Sequence, residues 1–291
     1  MDTAAPPLPP PLLLDTPDGA RLALYRLGRR DAPPLLWGHA NGFATGSYPA
    51  LLAGLARDHD LWAWDARGHG ESSLPEGVPL AAAVALDRLA ADARQLAQAV
   101  RDATGAWPRG AAHSFSGLAM LRAGVPWPDL TLFEPPLMTP ALLERPAIRE
   151  AMRQRVAATL FRRRLWDGPA QLFARLRPHP AYALIGDAAL QAHAAALLRP
   201  EGSGWRLRCA PETEAAIYEA VGNAATFESL PGVAVPCRFV ASDTEAGDWL
   251  RGVQPLAAAA CGGQALVLPG TTHFLPLENP AGAAALLRPA G

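Results

Sequence analysis

A chain of 291 residues is long enough to bury a large core, as one domain or as a core carrying an insertion. Half of its residues are hydrophobic, 18% are charged and the formal net charge is −1, so it has no global field to attract nucleic acid or an anionic membrane. All 26 basic residues are arginine, which excludes chemistry based on a lysine Schiff base or a P-loop lysine.

In chain order, residues 1–18 read as a Pro-rich lead-in without the basic start and unbroken apolar run of a signal peptide. After the Asp18-Gly19 turn pair, Arg21 to Leu27 alternates as a half-buried strand does. Leu35–Trp37 and Leu61–Trp64 are short apolar runs that stop at Gly38-His39 and at Asp65. Strands of a parallel sheet have this form when function sits at their carboxyl ends. Tyr48–Arg57 and Ala83–Arg101 carry leucines at helical spacing, Leu86, Leu89 and Leu96 in the second case. A small-residue strand follows residue 110, then a helix over about Gly117–Ala123, then a strand at Leu130–Phe133 closed by Glu134-Pro135-Pro136.

From about 138 to 228 the pattern changes to Arg-rich helical segments (Ile148–Arg164, Ala188–Leu198) without clear buried strands. Apolar runs resume at Cys237–Ala241 and Ala265–Leu268, with a helix between them and a last one from Pro280. Strand–helix units, a helical insertion and strand–helix units again predict an α/β fold: a mostly parallel sheet flanked by helices. The expected division is a core of residues 1–137 and 229–291 and a helical cap of residues 138–228. Cys209, Cys237 and Cys261 have neither metal-ligand nor disulfide spacing, and no apolar stretch has the length and helical continuity of a membrane span. A soluble cytoplasmic protein is expected.

The chemistry centres on Ala112-His113-Ser114-Phe115-Ser116. A nucleophile on a tight strand-to-helix turn needs small residues two positions to either side, and Ala112 and Ser116 supply them where glycine is usual. Three further motifs accompany it in order: His39-Ala40-Asn41-Gly42-Phe43, Asp65-Ala66-Arg67-Gly68-His69-Gly70-Glu71-Ser72 and Pro269-Gly270-Thr271-Thr272-His273-Phe274. On these four motifs the chain resembles the α/β-hydrolase fold enzymes over nearly its whole length. The resemblance implies a serine hydrolase with Ser114 as nucleophile and His273 as general base. It also implies an oxyanion hole made by the backbone N–H groups of Asn41 and Phe115. A serine hydroxyl needs such a base, and the base needs an acid that fixes its tautomer. Family order puts that acid after the strand that follows the cap, where Asp243 stands; Glu134, Asp248 and Glu245 are the alternatives.

Phe43, Phe115, Phe274 and Leu275 flank these groups and are expected to line an apolar acyl pocket, with Trp166 and Tyr182 closing it from the cap. His69 reads as shaping its own loop, His113 as facing the sheet, and His59, His179 and His193 as surface or cap residues. The implied partner is a small-molecule ester, thioester or lactone, with no metal or organic cofactor. Carbon–carbon bond hydrolysis and cofactor-free perhydrolysis use the same three side chains, and a silent binding protein would keep the same pocket.

Overall fold

The strand signals of the sequence assemble into one eight-stranded sheet in a computed structural model that describes residues 8–243 and 248–288. In chain order its strands are β1 (Leu12–Asp15), β2 (Arg21–Arg26), β3 (Pro34–Gly38), β4 (Asp60–Asp65), β5 (Arg109–His113) and β6 (Leu130–Phe133). A second, three-stranded sheet follows, formed by β7 (Leu165–Trp166), β8 (Leu198–Glu201) and β9 (Gly204–Leu207). The large sheet then closes with β10 (Cys237–Ala241) and β11 (Gln264–Val267). Its spatial order is β1-β2-β4-β3-β5-β6-β10-β11; β2 runs antiparallel to both its neighbours and every other pair is parallel.

Strands β4 and β6 are buried along their whole length, which explains the apolar run Leu61–Trp64 in the first and the three large apolar residues among four in the second. Helices cover both faces. Leu89, Leu96 and Val100 of the helix Leu86–Thr104 pack on one face with Leu118 and Val253. Leu51, Leu52 and Leu55 of the helix Pro49–Leu55 pack on the other with Ala283. The helix Phe115–Arg122 sits close to β3 because Gly38 has no side chain: a Cβ there would lie 2.4 Å from Trp64 and 2.7 Å from the Cβ of Ser116.

Two expectations are corrected. The lead-in contains β1, an edge strand whose Leu12 and Leu13 are about half exposed and so leave no alternating burial signal. The segment between β6 and β10 is not purely helical: β8 and β9 form a hairpin of which only Leu198 and Leu207 are buried. Alongside its helices (Pro146–Leu160, Pro169–Leu176, Asp187–Ala196 and Pro211–Val221) it has an apolar cluster of its own, built on Trp166, Leu172, Leu198 and Leu207. Among the described residues no helix is long and apolar enough to cross a membrane.

Candidate active site

Ser114 stands between the end of β5 and the helix Phe115–Arg122, with φ 59° and ψ −129°. Its N–H donates to Phe133 O at 2.9 Å, which ties the bend to the neighbouring strand. Glu134, the residue after β6, has φ 43°, and these two are the only non-glycine residues with positive φ among the described residues. Such backbone costs about 1–3 kcal/mol per residue and persists only where the surroundings impose it. Both strained residues lie at the carboxyl ends of adjacent parallel strands.

The Glu134 carboxylate is buried, and its Oε2 accepts from Nδ1 of His273 at 2.9 Å. Its other oxygen accepts from Ser242 N at 2.7 Å and from the Ser242 hydroxyl. Burial pushes its pKa up, but the donors from His273 and Ser242 outweigh burial and hold it below the ordinary carboxylate value. The Nδ1 proton is thereby fixed on the carboxylate side, leaving Nε2 of His273 as the basic nitrogen. The His273 side chain keeps 29% of its surface exposed. Among the described residues no hydrogen bond joins Ser114 Oγ to the imidazole; such contacts are often long before substrate binds.

The loops around Ser114 are tied to one another by a chain of buried groups. Ala40 N–H donates to the Tyr48 hydroxyl at 3.0 Å, and that oxygen lies 2.9 Å from His113 Nδ1. The other ring nitrogen of His113 lies 2.7 Å from His273 O. The line fixes a tautomer: Nε2–H donates to the carbonyl and Nδ1 accepts from the hydroxyl. Burial depresses the His113 pKa far below its ordinary value, so this tautomer stays neutral. Gly42 N–H donates to His69 Nε2 at 3.0 Å. With Ala40 and Gly42 both occupied, the Asn41 N–H between them has no acceptor among the described residues, and neither has the N–H of Phe115 at the start of its helix. An oxyanion hole requires two unpaired donors of this kind aimed at one oxygen.

The Asp65–Ser72 motif holds this loop in place. Asp65 accepts from Tyr25 Oη at 2.8 Å, Thr45 N at 2.8 Å and Glu71 N at 2.9 Å. A Cβ on Gly70 would collide with the Asp65 carboxylate at 1.9 Å. Arg67 is 1% exposed and forks onto Asp92, with both bonds at 2.6 Å.

A family model described as "Alpha/beta hydrolase family" matches residues 6–286. The chain belongs to the alpha/beta hydrolase family. Comparison with curated protein sequences gives no match. Among solved structures, the thioesterase domain from the curacin biosynthetic pathway superposes with a TM-score of 0.70 at 18% identity, over 95% of this chain and 98% of that one. E-2-(acetamidomethylene)succinate hydrolase gives 0.73 at 18% identity, over 95% and 97%. An esterase from M. tuberculosis gives 0.67 at 18% identity, over 97% and 91%. At this identity the likeness is one of fold.

In this alpha/beta hydrolase Asp243, the acid expected from sequence, does not meet His273. Asp243 is exposed and accepts from Gly270 N at 3.2 Å, while Glu134 occupies the position against His273. Asp248 caps the helix Trp249–Cys261 through Leu250 N at 2.8 Å, and Glu245 lies outside the described residues. The reason is register: β6 lies between β5 and β10, so its first residue past the strand reaches the imidazole, whereas Asp243 lies two residues past the end of β10 and turns toward Gly270.

Phe43 and Phe274 meet with ring centroids 5.5 Å apart, and Tyr182 stacks on Phe274 at 5.2 Å. Leu275 has no exposed surface and belongs to the core with Leu35 and Leu51. Trp166 packs in the separate cluster of the small sheet, under Arg163. Both were expected in the pocket, but the turn after Phe274 sends Leu275 inward and β7 carries Trp166 into the other core. Phe115, expected there too, is 2% exposed and packs against the His39 and His69 rings. His59 and His193, read from sequence as surface or cap residues, have 0% exposure. Tyr48 and Ser242 carry no motif signal; only their contacts single them out.

Proposed function

We propose that this protein is a serine hydrolase that cleaves an ester or thioester of a small molecule through an acyl-enzyme on Ser114. The observation that carries the reading is the strained Ser114 bend set beside a buried Glu134–His273 pair. In this reading His273 Nε2 takes the Ser114 proton as Oγ attacks the acyl carbon, then passes it to the leaving group. The N–H groups of Asn41 and Phe115 hold the oxyanion, a stabilisation of about 3–4 kcal/mol for each donor. Water, deprotonated by His273, then releases the acid and restores Ser114. Glu134 takes the part that sequence order gave to Asp243: it holds the imidazole tautomer and stabilises the imidazolium. Residues 138–228 act as a cap, with Tyr182 over Phe274. The fold neighbours include a thioesterase and an esterase, which supports acyl transfer as the reaction class.

A fluorophosphonate probe tests it. Labelling of the wild type is expected, with complete loss in Ser114→Ala and strong reduction in His273→Ala. A wild type that stays unlabelled, or labelling that survives Ser114→Ala, overturns the assignment.

A further inference from the structure

One buried polar cluster has no part in the acyl-transfer steps. His193 has 0% exposure, and neither of its ring nitrogens has a hydrogen-bond partner. Unpaired polar groups this deep are rare, because they lose their water and gain nothing in return. The His193 ring lies 4.4 Å from that of Phe43, in the oxyanion loop, and 6.1 Å from that of Tyr182. Burial, with the nearby Arg162 charge, holds its pKa down to about 3, so it stays neutral with one N–H to donate.

Arg162 lies close enough for its charge to act on His193. Its side chain is 30% exposed and donates through Nη1 to Glu214, whose own side chain is only 7% exposed. Among the described residues no other side-chain nitrogen of Arg162 has a partner, so Nε and Nη2 remain available. Glu214 fixes the location: a Cβ on Gly42 would sit 2.7 Å from its carboxyl group, which sets the ion pair against the oxyanion loop. Tyr182, which also feels the Arg162 charge, is stacked on Phe274 next to His273, and its hydroxyl makes no hydrogen bond among the described residues. Arg162 is thus linked to both loops, through Glu214 against Gly42 and through Tyr182 on Phe274.

We propose that Arg162, Tyr182 and His193 form a subsite for an oxygen acceptor, a keto or carboxylate group, carried on the acyl chain of the substrate. This rests on the hydrolase reading and names its substrate class. All three side chains offer N–H or O–H donors and Arg162 can only donate, so an acceptor is the one kind of atom that all three can share. An alkyl chain would strip water from Arg162 and leave His193 unpaired. Glu214 already neutralises the guanidinium, so the cluster meets its ligand as a set of donors rather than as a net charge, and a ketone and a carboxylate both fit.

Ser114→Ala protein, titrated calorimetrically with methyl 4-oxopentanoate, monomethyl succinate and methyl pentanoate, tests this without turnover. At least one of the two oxygen-bearing esters is expected to bind about 10-fold tighter than the pentanoate or better, and the stronger of the two identifies the group. That advantage is expected to vanish when Arg162→Met or His193→Phe is added. Because Arg162→Met leaves Glu214 without its partner, the pair Arg162→Met/Glu214→Gln repeats the measurement with that charge removed. A pentanoate bound as tightly as both others, or an advantage that survives in the Arg162→Met/Glu214→Gln protein, overturns the subsite. Fluorophosphonate labelling of the wild type reports separately on the hydrolase reading.

Discussion

At the scale of single residues, hydrogen-bond partners reorder the acidic residues that the sequence ranked with Asp243 first. Glu134 reaches His273 at 2.9 Å, and Asp243 reaches a backbone amide instead. Glu134→Gln is expected to lower kcat on a p-nitrophenyl ester by about 10³- to 10⁴-fold, because the amide favours the wrong imidazole tautomer. Asp243→Asn is expected to stay within a few-fold of wild type, and the reverse ranking would return the acid to Asp243. Tyr48 makes a subtler case. Tyr48→Phe strands the buried Ala40 N–H and releases His113 Nδ1, at a cost of about 1–3 kcal/mol in stability. If the link also positions the two loops, kcat falls while KM holds. An unchanged kcat in the folded variant would reduce Tyr48 to a purely structural role.

At the scale of elements, the join of β5 to its helix carries backbone strain that the proposed function would explain. Ser114 holds φ 59°, a conformation that glycine adopts without strain. Ser114→Gly is therefore expected to abolish activity and to raise stability in urea by about 1 kcal/mol. Gly38 on β3 presents the opposite requirement, since a methyl group there meets Trp64 and the Cβ of Ser116. Gly38→Ala is expected to cost about 1–3 kcal/mol and to push the Ser114 helix off the sheet, with activity falling alongside. The central strands were legible because burial on both faces makes them continuously apolar. The β8–β9 hairpin was not, because it buries one side chain from each strand and its other positions read as loop.

At the scale of the whole molecule, five of the seven histidines (His39, His59, His69, His113 and His193) are fully buried, and burial depresses all five pKa values. The sign follows from linkage. Below their ordinary value of 6.5 these groups take up protons in the unfolded chain and not in the folded one, so stability is lost as pH falls from there. Each such group contributes about 1.4 kcal/mol per pH unit. Glu134, lowered in the fold, acts in the same direction further into acid as pH drops through its folded value. The protein is expected to lose stability steeply between pH 6.5 and 5. Urea unfolding at several pH values should show the folding free energy changing by more than one proton's worth, with a smaller slope in His193→Phe. A flat profile over that range would mean that these histidines are free to protonate in the folded state.

What the sequence determined by itself is everything that local patterning or a contiguous motif encodes. The strand runs, the helix leucines and the Ser114 and His273 loops each depend on residues close together in the chain. The structure alone decided which distant groups meet. Glu134 faces His273 because β6 lies between β5 and β10, and His193 faces Phe43 because the segment after β6 folds back over the loop that follows β3. Contacts across more than a hundred residues depend on sheet order and packing, and neither is written in the spacing of any single stretch.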